Sequence, residues 1–576
     1  MRGSFRSFSA LPEGTPSSPS QNLINLESEC SAHKSASTTK NLVKRVLVRL
    51  WESSSLSDPI FGSRIHVASE PLIFWIDSFV CSNLAIDAHE VELEAETPEI
   101  EADDETLKLN QKKRIETHEV ELEAETLEVD PKVETPEIEA DVETPDVEQE
   151  KEDYHPIPIV FSKAKGSSVW DPEGKRYLDF LSAYSAVNQG HCHPKIMKVL
   201  AEQAQMLTLS SRAFYNDKFP VFAECITRMF GYDMVLPMNT GAEGVETALK
   251  LARKWGYMKK RIPKNEALIV SCCGCFHGRT LAAISMSCDN EATRGFWPLL
   301  PGQLKVDFGD AVALEKLFKE KGDQIAGFLF EPIQGEAGVI IPPEGYLKAV
   351  RDLCSKYNIL MIADEIQSGL ARSGRLLACD WEEVRPDVVI LGKALGGGVL
   401  PVSAVLADKD VMLCIQAGEH GSTFGGNPLA SAVAIASLEV IRDEGLAERS
   451  AQMGEQLRHQ LIKIQRQFPY FIKEVRGKGL FNAVELNSKS LLPVTAYDIC
   501  MKLKERGILA KPTHDSIIRL TPPLSMSVEE LQEGSKALHD VLVHDLPKMQ
   551  KEKLATVSHA TSSVCDRCGR DLYGSS

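Results

Sequence analysis

Two predicted strands each end in a residue that can do chemistry. In NILMIADEIQSG, Ile359–Ala363 predicts a buried strand with Asp364 at its carboxyl end; in DVVILGKALGGG, Val388–Leu391 predicts another, followed by Gly392 and Lys393. Ligands collect at the carboxyl ends of strands in open α/β sheets. A lysine amine can bond to an aldehyde, and a carboxylate can keep a ring nitrogen protonated. The alternative interpretation is an exposed turn lysine and a helix-capping aspartate.

Two further segments add a phosphate site and an aromatic surface. The strand-like MVLPM precedes Asn239–Gly241 and a predicted helix from Ala242 to about Trp255. Free backbone N–H groups at such a helix start can bind phosphate, although many helices begin with a glycine turn. In FHGRT, Phe276 can stack on a flat ring and Arg279 can bind a carboxylate. The simpler interpretation is a core phenylalanine and a surface arginine. Together these groups suit pyridoxal phosphate.

The segments that carry this chemistry lie in one zone of the chain, and zones of different composition precede and follow it. From Tyr154 to about Pro547, short β-branched runs alternate with amphipathic helical stretches, which predicts an α/β domain with a largely parallel sheet. Residues 1–33 are serine-rich with Arg2 and Arg6 and no early acid, a composition that fits an organelle transit peptide or an arbitrary tail. Residues 548–576 are predicted to form a loose polar tail.

Residues 34–153 differ from the rest in charge and repetition. HEVELEAET occurs at 89–97 and again at 118–126, and prolines interrupt the repeats. Residues 87–153 carry 27 acidic and 6 basic side chains, whereas the whole chain has a net charge of −18, so the remainder is slightly basic. Stacked like charges and proline favour disorder over a strand. The alternative is an acidic tail that docks a basic partner.

Composition excludes several classes of function. Without its acidic segment the chain is nearly neutral, so a nucleic-acid partner is not expected. No uncharged apolar run is long enough to span a membrane, and 14 cysteines are too few for a disulfide scaffold of this length. Cys565 and Cys568 have metal-ligand spacing without a second pair, so no metal site is predicted.

Eight motifs in fixed order carry a family resemblance. They are LSAYSAVNQGHCHP, MNTGAEG, FHGRT, EPIQGEAG, ADEIQSG, LGKALGGG, HGSTFGGNP and RGKGL. From about Tyr154 to Leu546 the chain resembles the class III pyridoxal-phosphate-dependent aminotransferases, and within them the branch that acts on ornithine. The resemblance implies transferase fold type I. A large, mostly parallel-sheet domain, about 222–426, would hold the cofactor, and a smaller α+β domain would form from the flanking parts, near 154–221 and after about 427.

The resemblance also implies roles for the cofactor-binding residues. Lys393 would carry the cofactor as a Schiff base and move the proton, and Asp364 would pair with the pyridine nitrogen. Gln367 would bind the ring oxygen and Phe276 would stack on the ring. The phosphate would be bound by backbone N–H groups and by a threonine from the neighbouring subunit of a homodimer, at Gly241, Ala242 and Thr423.

For the substrate, the resemblance implies two carboxylate sites. Arg279 and Tyr154 would bind the α-carboxylate and α-amine of ornithine, with Tyr184 shaping the pocket. Arg519 would bind glutamate and be masked by Glu336 while ornithine is present. Glu331 would support the site from behind, by the same resemblance.

The implied reaction is a ping-pong transfer of the δ-amino group of ornithine to 2-oxoglutarate in the mitochondrial matrix, with the cytoplasm as the alternative compartment. Acetylornithine or 4-aminobutyrate aminotransferases, or a non-catalytic binding protein with this fold, are the competing hypotheses.

Two features depart from the family pattern. TGAEG replaces the usual TGVEA, which leaves the backbone N–H of Ala242 in place, and Gly244 in the first helical turn is expected to cost up to about 1 kcal/mol relative to alanine. LESECSAH, ending at His33, resembles the family segment that runs directly into Tyr154, yet residues 34–153 lie between them. They are either a tolerated insertion or retained intron sequence.

Overall fold

The computed structural model describes residues 156–559, with side chains described as far as Leu554. Residues 1–33, the acidic insertion, Tyr154, Cys565 and Cys568 therefore lie outside the described residues. The strands are β1 Lys163–Lys165, β2 Ser168–Trp170, β3 Arg176–Asp179, β4 Met234–Met238, β5 Leu268–Cys272, β6 Gln303–Val306, β7 Ile325–Phe330, β8 Leu360–Asp364, β9 Val388–Leu391, β10 Ser403–Ala407, β11 Ile472–Lys478, β12 Phe481–Leu486, β13 Ile508–Leu509, β14 Lys511–Thr513 and β15 Ile517–Leu520.

The longer helices within these residues fall between and after the strands. They are α1 Pro194–Ala204, α2 Lys218–Phe230, α3 Gly241–Trp255, α4 Ala311–Lys321, α5 Tyr346–Lys356, α6 Pro428–Asp443, α7 Leu446–Gln467, α8 Ala496–Glu505, α9 Val528–Asp540 and α10 Leu546–His559. The expectation of a loose tail from residue 548 is wrong as far as His559, because α10 continues through it. Within the described residues, no helix is long and apolar enough to cross a membrane.

A seven-stranded sheet forms the centre of the larger part, in the order β4-β10-β9-β8-β7-β5-β6. The pairs β9–β8, β8–β7, β7–β5 and β5–β6 are parallel, and β10 runs antiparallel to both its neighbours. The largely parallel sheet is thus confirmed. All seven strands fall within residues 222–426; these domain bounds stay a prediction.

Side-chain alternation explains why both faces of this sheet are covered. On β8, Ile362 packs in the cluster that contains α3, whereas Met361 and Ala363 pack with α4 and α5 on the other face. A strand buried on both faces reads as a continuous apolar run, as LMIA does. Because both faces are covered, side chains that could act on a ligand are expected at the carboxyl ends of the parallel strands.

Two smaller sheets join distant parts of the chain. One has the order β1-β2-β3-β13, with β13 parallel to β3, and the other has the antiparallel order β11-β12-β15-β14. The pairing of Leu178 with Ile508 links the segment before the large sheet to the segment after it.

Candidate active site

The two residues singled out first lie on neighbouring parallel strands. Asp364, the last residue of β8, pairs in register with Ile390 of β9, and Lys393 follows that strand after Gly392. Lys393 is half-buried in a left-handed conformation with φ of 44°. Burial lowers the pKa of its amine, and Glu336, Asp364 and nearby carboxylates oppose that shift without cancelling it. The structure does not show the exposed turn lysine of the alternative interpretation.

The Asp364 carboxylate has two partners. One oxygen accepts the Ile366 N–H at 3.1 Å, and the other lies 2.7 Å from Nδ1 of His277. Burial acts to lower the pKa of His277, but Cys275 and Asp364 raise it well above its usual range. Nδ1 of His277 therefore orients the Asp364 carboxylate. The sequence interpretation missed His277, although it stands directly after Phe276 in FHGRT.

Glu331 follows β7 and lies behind the FHGRT turn. Its carboxylate accepts the backbone N–H of Phe276 at 3.0 Å and that of Gly335 at 3.1 Å. Burial raises its pKa to about 7; His277 opposes the shift and Asp364 adds to it. Glu331 thus fixes the turn that presents Phe276 at the predicted site.

Buried Arg519 of β15 forms an ion pair with half-buried Glu336. Its Nη1 donates to Oε1 of Glu336 at 2.7 Å, and the same oxygen accepts Nε2 of Gln367 at 3.0 Å. Burial is the largest effect and raises the pKa of Glu336. The Arg519 charge, the hydrogen bonds from Arg519 and Gln367 and the Lys393 charge together outweigh it, so the net shift is downward. The Arg519 guanidinium also lies 4.8 Å from the centre of the Tyr184 ring. The structure thus brings together four predicted site residues from four separate segments.

Tyr184 belongs to an unusual turn. Residues 182–185 all have positive φ, from 45° to 74°, without a glycine among them. Such a backbone is strained and persists only where surrounding contacts determine it. Buried Arg372 supplies these contacts, since it donates to Oγ of Ser182 at 2.9 Å and to the carbonyl of Pro522 at 2.6 Å. The turn with Tyr184 and the strand end beyond Arg519 are thereby held by one side chain.

The predicted phosphate turn opens α3 as expected. Thr240 caps the helix, and its side chain and that of Glu243 form a capping box. First-turn amides have no acceptor within the helix, which leaves the N–H groups of Gly241 and Ala242 available. A Cβ at Gly241 would approach Cδ1 of Ile366 to 3.0 Å, so the helix start packs closely against the chain after Asp364.

Two other predicted contacts lie at the surface. Thr423 is exposed, in a loop where the neighbouring Ser422 hydroxyl accepts Nδ2 of Asn239 at 2.8 Å. Arg279 is exposed, and its guanidinium lies 5.2 Å from the centre of the half-buried Phe276 ring. Tyr154 lies outside the described residues.

A family model described as aminotransferase class-III matches residues 149–542. The chain belongs to the class III aminotransferases. As a class III aminotransferase it is a pyridoxal-phosphate-dependent transaminase of fold type I, with an amino acid and an oxo acid as substrates. A cationic pocket such as that of Arg519 suits the carboxylates that both substrates carry.

Similar proteins carry more specific names. "Ornithine aminotransferase, mitochondrial" from Arabidopsis thaliana is 77% identical over 423 residues, which are 73% of this chain and 89% of that protein. A solved ornithine aminotransferase from Toxoplasma gondii is 46% identical with a TM-score of 0.67, covering 69% of this chain and 93% of that one. A solved acetylornithine aminotransferase from Elizabethkingia anophelis is 48% identical with a TM-score of 0.61, covering 69% and 96%.

Proposed function

We propose that this class III aminotransferase transfers the δ-amino group of L-ornithine to 2-oxoglutarate, which yields glutamate 5-semialdehyde and glutamate. The observation that carries the proposal is the ion pair of Arg519 and Glu336 with Oε1 to Nη1 at 2.7 Å. A masked arginine lets one pocket accept both a diamino acid and a dicarboxylate. The similarity to proteins named ornithine aminotransferase supports the same reaction.

The residues at the site fit pyridoxal phosphate. Oε1 of Gln367 is buried without a hydrogen-bond partner among the described residues, and the Gly241 and Ala242 amides form a phosphate cradle. Lys393 would hold the cofactor covalently, Asp364 would pair with its ring nitrogen and Phe276 would stack on it. When bound, pyridoxal phosphate supplies an electron sink for the carbon that loses its proton.

Lys393 and Asp364 divide the proton chemistry. Burial lowers the pKa of Lys393, so a neutral amine is available to take a proton from the reacting carbon of the substrate and return it. Nδ1 of His277 holds the Asp364 carboxylate in position at 2.7 Å. His277 is a positioning residue, since it acts through Asp364.

Substrate selection rests on two cations at different depths. The exposed Arg279 would bind the α-carboxylate of ornithine and Tyr154 its α-amine, which places the δ-amine toward Lys393. Arg519, which is 3% exposed, would bind the carboxylate of 2-oxoglutarate or glutamate once Glu336 turns away. Tyr184 would form the wall between these positions, because its ring lies over the Arg519 guanidinium.

We infer further that the enzyme is a homodimer in which Thr423 reaches the partner's phosphate. Large exposed apolar residues support an interface: Phe214 is 75%, Tyr215 97% and Phe424 55% exposed. Sedimentation of the holoenzyme should give twice the chain mass. The relatives named mitochondrial support the matrix as its compartment, with residues 1–33 as the transit peptide.

Assay of the purified full chain with pyridoxal phosphate tests the substrate. Ornithine with 2-oxoglutarate should give the semialdehyde, and Lys393→Ala should lose both this activity and the visible absorbance of the lysine-bound cofactor. Preferential turnover of N-acetylornithine or 4-aminobutyrate would favour the competing transaminases, the former being the activity named for the Elizabethkingia anophelis structure. Absence of the absorbance in the wild-type protein would favour a binding protein.

A further inference from the structure

Two cysteines beside the active site have their sulfur atoms in contact. Sγ of Cys273 lies 3.0 Å from Sγ of Cys288, and both cysteines are free. Cys273 directly follows β5, and its backbone is fixed at both ends: its N–H donates to Val306 at 2.8 Å and its carbonyl accepts Nε2 of Gln334 at 2.9 Å. Cys288 lies beyond the short helix Leu281–Ser285.

Solvent access separates this pair from the core thiols. Cys288 is exposed and Cys273 is half-buried, whereas Cys272, Cys275 and Cys354 are buried. A buried thiol packs as a small apolar group, but a thiol open to solvent can meet a soluble disulfide. A disulfide bond is about 2.05 Å long. The two sulfurs must therefore approach by only roughly 1 Å, which exposed Cys288 can supply.

We propose that Cys273 and Cys288 form a redox modification site that takes a low-molecular-weight disulfide such as glutathione disulfide. The Cys288 thiolate attacks one sulfur of glutathione disulfide, forms a mixed disulfide and releases one glutathione. The Cys273 thiolate then attacks the Cys288 sulfur and releases the second glutathione. The two cysteine protons end on the two glutathione thiols, so the protein dithiol is oxidised by two electrons and the reagent is reduced by two.

The electrostatics of the pair determines this order of attack. Burial, Cys288 and Asp307 together raise the pKa of Cys273 to about 12. Cys273 is thus a poor first nucleophile, and the exposed Cys288 is the point of entry. Once Cys288 carries glutathione, contact at 3.0 Å places Cys273 beside the sulfur that it must attack, which offsets its small thiolate fraction.

The bond would close a loop around the FHGRT turn. Residues 274–287 would lie inside the covalent ring, with Phe276, His277 and Arg279 among them. The turn is already held by Glu331, and the disulfide would restrain it from the other side. The inference itself concerns thiol chemistry, so its test does not depend on which amino acid the enzyme uses.

Thiol mapping of the holoenzyme tests the site. The full chain is incubated with glutathione disulfide, remaining thiols are alkylated, and the protein is digested with trypsin. We expect fragment 265–279 linked to fragment 280–294, without retained glutathione, and release of both by dithiothreitol. Cys192→Ser, which removes another exposed cysteine, is the matched control and should leave the link unchanged.

The two single variants assign the sulfurs. Cys288→Ser should abolish the link, and Cys273→Ser should leave one glutathione on Cys288. A wild-type protein that keeps glutathione on Cys288, or in which both thiols stay reduced, overturns the proposal. A link that persists in Cys273→Ser also overturns it, because the partner would then be Cys272 or Cys275.

Discussion

The carboxylates around Lys393 have different partners. Glu336 faces the Arg519 guanidinium and has a lowered pKa, whereas Glu331 faces mainly backbone N–H groups and has a pKa of about 7. Asp364 faces His277. One site thus combines Glu336, whose pKa is lowered, with Glu331, which titrates near neutrality.

The Glu331 carboxyl should make stability depend on pH. Its pKa rises from 4.5 in the unfolded chain to about 7 in the folded protein. The folded state therefore binds the proton more tightly, and its free energy of unfolding falls as pH rises from 4.5 through about 7, by at most about 3 kcal/mol. In Glu331→Gln this part of the fall should disappear, as measured by denaturant unfolding at several pH values.

Two other carboxyl groups control this measurement. Glu365, also buried with a pKa of about 7, contributes the same fall to both proteins. Half-buried Glu315, whose pKa is lowered by Lys356 and Lys319, is ionised in both the folded and the unfolded state above about pH 6. Glu315→Gln should therefore keep the wild-type slope between about pH 6 and 7. Equal slopes in wild type and Glu331→Gln would show that Glu331 is ionised throughout.

Removing the charge of Glu336 should unmask Arg519. A charge-assisted hydrogen bond contributes about 1.5–3 kcal/mol, so Glu336→Gln should lower the KM for 2-oxoglutarate by about tenfold or more. The KM for ornithine should not fall with it. Steady-state kinetics with each substrate varied in turn measures both.

A second, half-buried ion pair serves as a control for nonspecific loss of structure. Asp387 pairs with Arg351 at 2.9 Å at the amino end of β9, the opposite end from Lys393. Asp387→Asn should leave both KM values unchanged. A parallel change of the two KM values in Glu336→Gln would contradict a masking role.

At the scale of elements, the sequence predicted those helices and strands whose bounds depend on neighbouring residues in the chain. The strand Val388–Leu391 matches its predicted bounds, and the helix Gly241–Trp255 begins one residue before its predicted start. Both agree because a continuous apolar run and a glycine turn before a helix are local signals. The left-handed turn at 182–185 could not be predicted, since Arg372 from a distant segment imposes it. His277 was missed because its partner Asp364 lies on another strand.

Gly244 lowers the helix propensity of α3, but the packing of α3 against β9 requires a glycine at this position. A Cβ at Gly244 would lie 2.8 Å from Cγ2 of Ile390, so α3 packs on β9 more closely than alanine permits. Gly244→Ala should therefore destabilise the holoenzyme by about 1–3 kcal/mol, despite a gain of up to about 1 kcal/mol in helix propensity. Thermal unfolding measures the shift.

The contact with Ile390 can be tested in the same series. Ile390→Ala removes the methyl group that alanine at 244 would meet. The double variant should then lose less stability than the sum of the two single variants. Strict additivity would place the strain elsewhere.

At the scale of the whole molecule, the first described residues after the acidic insertion are already bound to a helix of the fold. The carbonyl of Pro156 accepts the Tyr497 hydroxyl at 3.0 Å, and that of Pro158 accepts Nζ of Lys504 at 2.8 Å, both from α8. Ile157 packs against the core. The described chain is therefore anchored to the fold from its first residues onward.

Deleting residues 34–153, which joins His33 to Tyr154, should leave the kcat and KM for ornithine unchanged within about twofold. The reason is the anchoring of residues 156–158 to α8. Kinetic comparison of the full chain with the deletion variant measures it. A large gain in activity on deletion would show that the insertion displaces Tyr154.

The sequence alone could identify the predicted site residues, but it could not predict the contacts between their side chains. Motif order assigned Tyr184, Glu336, Gln367 and Arg519 to one pocket by resemblance, whereas their contacts depend on sheets that bring both ends of the chain together. No periodicity within either segment encodes that β3 pairs with β13. Long-range pairing is a property of the folded whole.

This pairing has a consequence for biosynthesis. A growing chain emerges from the ribosome amino end first. The edge of β3 then stays open until Ile508 has been made, and Arg519 is translated later still. The contact between the Tyr184 ring and the Arg519 guanidinium therefore cannot form until most of the chain after Tyr184 has been synthesised. A messenger cut short before that point would encode Lys393 but not Arg519, the arginine proposed to bind 2-oxoglutarate.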